Sequence, residues 1–407
     1  MSKTTFPSVE DQLRILSRGA ADLVDEAQLK DKLERSAKTG KPLTVKVGFD
    51  PTAPDLHIGH SVLLRKMRHF QDCGHRVIFL IGDFTGLIGD PTGKKTARPQ
   101  LTREEIDANA TTYKEQVYKI LNPEVTVVDY NSRWLLKLGA DGMVRLAGKY
   151  TLPRMMERDD FRTRWQENQP IHMHELFYPL AQAYDSVFLE ADAELGGHDQ
   201  IFNLLVGRQL MKEHGQEPQI VLTVPLLIGT DGVDKMSKST GNFIALEDPP
   251  QEMYGKTLSI PDELMWDWLL LLTDIDEAEI ARQKKQVEAG DLHPKAVKQG
   301  LAREIVTFYH GAAAARTAEE EFEKVFAGGG VPDDVPEVTV DGPLTLLKLV
   351  TAADLAASGK EARRLIDQGA VSIDGERAGD PFQEIAAAPE PYLFKVGKRR
   401  FARVRVQ

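Results

Sequence analysis

Apolar residues fall at every second position through Leu43-Thr44-Val45-Lys46-Val47-Gly48-Phe49, the period of a strand. The stretch from Ser61 to Asp72 reads instead as a helix, closed by Gly74. Further apolar runs stand at Val77-Ile78-Phe79-Leu80-Ile81, Val125-Thr126-Val127-Val128 and Ile220-Val221-Leu222-Thr223-Val224, separated by longer helical patterns. From about residue 40 to 230 this rhythm predicts a parallel α/β sheet with helices on both faces, its ligands bound at the carboxyl ends of strands. From roughly 245 to 325 strand patterns disappear, and Leu264 to Leu272 and Ala296 to Phe326 read as packed helices. Gly328-Gly329-Gly330-Val331-Pro332-Asp333-Asp334-Val335-Pro336 then reads as a linker. The last ~65 residues predict a small α+β unit. Leu344 to Ala356 and Glu361 to Asp367 are helical in pattern, with Gly369 ending the second helix. Strands follow at Ala370 to Ile373 and Tyr392 to Val396, with Asp374-Gly375 as a tight turn. The pattern divides at 1–240, 241–327, a linker 328–342, and 343–407.

At 407 residues, 42% hydrophobic and 28% charged, the chain has ordinary globular composition. No apolar run approaches the ~20 residues that span a bilayer, so no membrane association is expected. Met1 to Phe6 lacks the apolar stretch of a signal peptide, and a cytoplasmic protein is expected. The single cysteine, Cys73, excludes an internal disulfide and any cysteine-built zinc site, and reads as a structural thiol. The net charge of −11 argues against a protein coated by nucleic acid, but the charge is uneven. From Pro343 onward 11 Lys/Arg stand against 8 Asp/Glu, and Gly397 to Val406 holds five basic residues and no acid. Any RNA contact is therefore expected at local basic patches.

Two short motifs carry candidate chemistry. His57-Ile58-Gly59-His60 falls in a strand-to-helix turn, where free N–H groups and the positive end of the helix dipole attract phosphate. Gly59 lets a ligand approach the backbone closely. Lys235-Met236-Ser237-Lys238-Ser239 lies in a polar, glycine-flanked loop, Gly229 to Gly241, whose lysines and hydroxyls suit a mobile clamp on a polyphosphate. Alone, the first could equally be two solvated side chains in a turn, and the second a solvated loop. Tyr178, Gln182 and Asp185, spaced four and then three apart, share one face of a helix that begins near Pro179. They form either a small polar site or an internal hydrogen-bond network.

The two motifs together resemble the signature of class I aminoacyl-tRNA synthetases. Gly48 to His60, Thr85 to Lys94, Tyr178 to Asp185 and Gly196-Gly197-His198-Asp199-Gln200 resemble bacterial tyrosyl-tRNA synthetases specifically. Glu361 to Gly375 resembles the core of the S-four-type RNA-binding domain, which accompanies tyrosyl enzymes. The resemblance implies a Rossmann-like catalytic domain, a helical tRNA domain on the anticodon side, and an RNA-binding module. It implies a two-step reaction, from tyrosine and ATP to tyrosyl-adenylate and pyrophosphate, then transfer to the terminal adenosine of tRNA. Magnesium would travel with ATP, with no separate metal site and no tightly bound cofactor, and the chain would form a homodimer.

By that resemblance His57 and His60 hold the ATP phosphates, while Lys235, Ser237 and Lys238 meet the departing pyrophosphate. Asp50, Thr52 and Gly59 lie close to the nucleotide, and Gly197 and Asp199 meet its ribose. Asp185 accepts the substrate phenol, Asp90, Tyr178 and Gln182 hold its ammonium, and Gln200 faces it. Lys46 stands where many family members place a tyrosine that contacts the phenol, leaving a lysine donor in that place. Arg363, Arg364, Lys398, Arg399 and Arg400 are the expected RNA contacts. The rival readings are a tryptophanyl enzyme and an RNA-binding protein that has lost catalysis.

Overall fold

The larger sheet has six strands: β1 (Asp22–Val24), β2 (Thr44–Phe49), β3 (Arg76–Ile81), β4 (Thr126–Tyr130), β5 (Ala193–Gly197) and β6 (Ile220–Val224). The structure, a computed structural model, describes residues 6–52, 55–92, 102–327, 335–340, 342–397 and 400–407. Lys398, Arg399, the Ala53-Pro54 and Gly93-Lys94 parts of the motifs, and most of the expected linker lie outside the described residues.

The strand order is β1-β6-β5-β2-β3-β4. Five strands run parallel, as the apolar runs predict, and β1 pairs antiparallel with β6, so the sheet is mixed. Strands β3 and β6 are buried almost end to end, the burial that continuous apolar runs require. The middle of β2 is covered on both faces, as expected of a parallel sheet with helices on each side. Val45, Lys46 and Val47 are all buried, because helices cover both faces and Lys46 finds a buried partner.

The chain runs outward from β2 to β3 and β4, then returns to the other side of β2 as β5. The strand order therefore reverses between β2 and β5, where open α/β sheets place their ligand crevice. Pairing there covers only Val45↔Ala193 and Lys46↔Glu194. Beyond Lys46 the two strands part, and the space between their carboxyl ends is the cleft described below. Helix Ile58–Asp72 begins three residues before the expected start, with His57 as its N-cap. Helix Tyr178–Leu189 begins at the residue before Pro179, where proline's missing N–H costs nothing.

Helices at Met265–Leu272, Glu277–Ala289, Pro294–His310 and Ala312–Ala327 follow, with no strand between them. No described helix is long and apolar enough to cross a membrane. Contacts divide the chain into two compact units, residues 1–249 with 256–305, and residues 250–255 with 306–407. The first takes in helices that the sequence pattern set apart from the sheet at residue 240.

The C-terminal sheet is ordered β10-β9-β12-β13-β7, from β7 (Glu337–Val340), β9 (Val371–Ile373), β10 (Glu376–Arg377), β12 (Tyr392–Val396) and β13 (Arg400–Val406). Two short strands, β8 (Leu344–Thr345) and β11 (Glu384–Ile385), pair separately. Helices Leu346–Ala352 and Gly359–Asp367 pack on a core that includes Leu349, Ile366, Val371, Phe394 and Val404. Strand β7 corrects the expected linker of 328–342. It pairs in parallel with β13, and Val338 and Val340 pack on this core while Glu337 and Thr339 face out. The folded C-terminal unit therefore starts by Glu337. Four residues beside a Gly-Pro-Asp run are too few to announce a strand.

Candidate active site

Where β2 and β5 part, the carboxyl ends of the strands and the loops after them enclose a cleft of about 430 Å³. Asp50, Thr52, His57, Gly59, His60, Asp90, Tyr178, Gln182, Asp185, Gly197, Asp199, Gln200, Lys235 and Ser237 all line it. Lys46 and Lys238 do not.

At one end lies the start of helix Ile58–Asp72. The Gly59 N–H donates to His57 Nδ1 at 3.2 Å, and the His57 N–H donates to His60 Nδ1 at 3.2 Å. Burial pushes the His57 imidazole down to about 3, with charge at His60 and Lys238 adding to it. Burial and then Lys238 push His60 down to about 4. Both rings are thus neutral at pH 7, and since each Nδ1 accepts, each carries its proton on Nε2. That leaves two N–H donors for an anion beside a helix N-terminus. A side chain at Gly59 would put Cβ 2.8 Å from His57 Nδ1, so only glycine fits against the ring.

Lys235 Nζ stands 3.6 Å from the Asp199 carboxylate and is largely exposed. Lys238 does not line the cleft and pairs with Asp55 at 3.0 Å. The clamp loop is tied at its base by Asn242, whose Oδ1 accepts from the Ser237 N–H at 2.8 Å. Asn242 Nδ2 donates to Asp231 at 2.7 Å. Its neighbour Met236 is buried.

At the other end Asp185 is 2% exposed. Trp134 Nε1 donates to its Oδ1 at 2.7 Å and Asn131 Nδ2 to its Oδ2 at 3.2 Å. Burial pushes this carboxyl up to about 7, against the opposing charge of Lys46 and these two donors. Tyr178 Oη donates to Asp50 Oδ2 at 2.8 Å, and Thr85 Oγ1 donates to Asp50 Oδ1 at 2.7 Å. The Tyr178 hydroxyl proton is thus committed to Asp50 here, not to Asp90 or Gln182. Asp90 accepts from Gln200 Nε2 at 2.8 Å and from the Thr92 N–H at 2.9 Å.

Lys46 does not stand as a donor in the cleft. Its Nζ donates to Glu194 Oε1 at 2.7 Å, with both side chains buried. Sequence reasoning missed Arg158, a buried guanidinium 3.5 Å from Asp90 that donates to Thr92 at 2.6 Å. Nothing in its surroundings, Met156-Glu157-Arg158-Asp159-Asp160, marks it. It also missed Asn131, although a polar residue directly after β4 is a signal at a strand's carboxyl end. Glu194 was missed as well, since its stretch Ala193-Glu194-Leu195-Gly196-Gly197 does not show its strand in sequence.

In the C-terminal unit Arg363 and Arg364 are exposed on helix Gly359–Asp367. Arg363 lies over the Phe382 ring at 5.4 Å, and this 64% exposed phenylalanine was also missed. Arg400 is tied to Glu361 at 3.2 Å and to the Leu355 carbonyl at 2.9 Å. Cys73 is buried, which pushes its thiol up to about 11 and fits a structural role.

Residues 38–327 match the family described as tRNA synthetases class I (W and Y). Residues 329–402 match a tyrosine–tRNA ligase SYY-like C-terminal domain. The chain belongs to the tyrosine–tRNA ligase family of class I tRNA synthetases. Tyrosine–tRNA ligase of Desulfotalea psychrophila is 55% identical over 98% of this chain and 99% of that protein. The enzyme of the same name from Geobacter sulfurreducens is 55% identical over 98% of this chain and 99% of its own. The crystal structure of a tyrosyl-tRNA synthetase from Archaeoglobus fulgidus complexed with L-tyrosine shares the fold with a TM-score of 0.62. It covers 77% of this chain and 100% of that one at 24% identity.

Proposed function

We propose that this cleft joins tyrosine to ATP and that the chain then charges tRNA with the activated amino acid. The chain is a tyrosine–tRNA ligase. The observation that carries the assignment of roles is the pairing of two unlike ends in one cleft. A buried carboxylate, Asp185, stands at one end, and two neutral imidazoles at a helix N-terminus stand at the other. The phenol of tyrosine donates to Asp185. Its ammonium meets Asp90, Gln182 and the oxygen of Tyr178, whose proton goes to Asp50, with Gln200 beside them.

The tyrosine carboxylate attacks the α-phosphate in line, releasing pyrophosphate. No covalent enzyme intermediate is required, so catalysis comes from positioning and from charge stabilisation. His57 and His60 donate to the phosphates, and Asp50, Thr52, Gly197 and Asp199 frame the nucleotide. Lys235, Ser237 and Lys238 close on the pyrophosphate. Magnesium enters with ATP, held mainly by phosphates and water. ATP–pyrophosphate exchange across all twenty amino acids tests this reading, with exchange expected for tyrosine and background for tryptophan.

Because ionised Asp185 accepts the phenolic hydrogen more strongly than the protonated acid does, kcat/KM for tyrosine should rise with pH to an inflection near 7 and level off above it. The histidines, already neutral, add no limb in this range. Phenylalanine, with no hydrogen to donate, should lack the limb. Identical profiles for the two amino acids would remove Asp185 from the phenol.

The division of labour we propose follows the sequence, with the catalytic domain at 1–240, the helical tRNA domain at 241–327 and the RNA-binding domain starting by Glu337. Arg363 and Arg364 present an exposed basic face of it, and Lys398, Arg399 and Arg400 are the further basic residues we assign to RNA. Ending the chain at Val335 should leave tyrosyl-adenylate formation within about twofold while lowering tRNA charging by about tenfold or more, as phosphate contacts are lost. Equal losses of both in a folded truncation would contradict this.

We also infer a cytoplasmic homodimer. Leu136, Val144, Leu152, Trp165 and Met173, between 60% and 73% exposed, come from one consecutive part of the chain and are apolar side chains that a second copy would cover. Sedimentation at micromolar concentration tests it.

A further inference from the structure

At the fork between β2 and β5, the last paired residues are Lys46 and Glu194, and they form an ion pair at 2.7 Å with both side chains essentially unexposed. A buried ion pair loses two hydration shells and is weak evidence of stability by itself. What it holds is therefore the question. Glu194 Oε1 accepts from Lys46 Nζ and from Gln182 Nε2 at 3.1 Å. Its Oε2 accepts from Ser186 Oγ at 3.0 Å and from Gln219 Nε2. Four donors thus converge on one carboxylate. Lys46 Nζ also reaches the main-chain carbonyl of Gln182 at 3.4 Å, so one ammonium anchors both the carboxylate and the residue it holds.

A carboxylate only accepts, so Gln182 has to offer it the NH₂ side of its amide. The amide oxygen is then turned the other way. That oxygen is buried and has no partner among the described residues, an arrangement that is costly unless a donor arrives. Gln182 lines the cleft, and the donor a bound amino acid offers there is its ammonium.

We propose that the Lys46–Glu194 pair is a positioning device for amino-acid recognition, fixing the Gln182 amide so that its oxygen receives the ammonium of the bound amino acid. This rests on the reading of the cleft as the tyrosine site. A neutral group at position 194 that both donates and accepts would let the amide turn over, presenting NH₂ to a cation.

The test compares tyrosine with 3-(4-hydroxyphenyl)propanoate, which keeps the phenol and the carboxylate and lacks the ammonium. Dissociation constants are measured for the full-length wild type, Glu194→Gln, and the charge-neutral pair Lys46→Met with Glu194→Gln. The double variant leaves no unpaired buried charge and covers the case in which the single one fails to fold. In the variants tyrosine should bind about 10- to 100-fold more weakly, the loss of a hydrogen bond to a charged group. The desamino compound should change by less than about threefold, since it never used that oxygen. Parallel weakening of both ligands, or no weakening of tyrosine, overturns the inference while leaving tyrosine activation by the wild type intact. Failure of the wild type to activate tyrosine would overturn the reading of the cleft, and the inference with it.

Discussion

Replacing Asp185 by alanine is expected to lower the ratio of kcat/KM for tyrosine over phenylalanine by about 10- to 100-fold. Tyrosine would lose a hydrogen bond to an ionised acceptor, worth about 1.5–3 kcal/mol, and phenylalanine would lose nothing. Phenylalanine even gains, because in the wild type it buries this carboxylate without meeting it. The substitution has a second effect that must be separated from the first. Trp134 Nε1 and Asn131 Nδ2 both donate to Asp185, so alanine strands Trp134 Nε1 and one N–H of Asn131, whose amide nitrogen keeps its bond to Thr85 Oγ1 at 3.1 Å. Each stranded donor costs about 1–3 kcal/mol of fold stability. That loss bears on both substrates alike and cancels in the ratio, so the ratio is the quantity to measure, by pyrophosphate exchange below the melting temperature of the variant. Asp185→Asn keeps the volume and one acceptor, and should fall between wild type and alanine. A ratio that survives in both folded variants would make Asp185 a purely structural partner of Trp134 and Asn131.

Local patterns in this chain were legible, and long-range partners were not. Val77 to Ile81 and Ile220 to Val224 announce strands because both faces of the sheet are covered and every position is apolar. Asp22-Leu23-Val24 is too short to show a period, and Ala193-Glu194-Leu195-Gly196-Gly197 hides a strand behind a charge and two glycines. The histidine turn was readable because strand end, glycine and helix start are neighbours in sequence. Arg158 was not, because its meaning lies in a contact with Asp90, 68 residues away.

Lys46 is the most instructive case. Its position in β2 marked it as odd, and its family position suggested a donor to the substrate. Only the register of β2 on β5 reveals that its partner is Glu194. Gly82 is similar. A Cβ there would stand 2.1 Å from Asp50 Oδ1 and 2.3 Å from Thr85 Oγ1, so glycine is what lets those two side chains meet. Nothing near Gly82 in sequence predicts that.

Lys238→Ala is expected to lower the rate of tyrosyl-adenylate formation by about 10²- to 10³-fold, with the tyrosine dissociation constant nearly unchanged. The structure sets a condition on this, because Lys238 is paired with Asp55. Magnitudes decide whether that resting place forbids the role. The Asp55 side chain is half exposed, and an ion pair of that kind contributes about 0–1 kcal/mol. A donor meeting charge that develops on departing pyrophosphate contributes about 2.7–4 kcal/mol in the transition state. The second term is larger, so the resting pair with Asp55 does not forbid the proposed role. The charge of Lys238 already reaches both imidazoles, helping to hold them neutral, so its position is near the phosphate end even at rest. The loss should therefore fall on the chemical step, not on ground-state binding of the amino acid. Asp55→Asn, which removes the competing partner, should leave the rate within about threefold of wild type or raise it, given how little the pair is worth. Single-turnover adenylation followed by quenched flow separates the two constants. A raised tyrosine KM with an unchanged rate in Lys238→Ala would place this lysine in the resting ion pair alone.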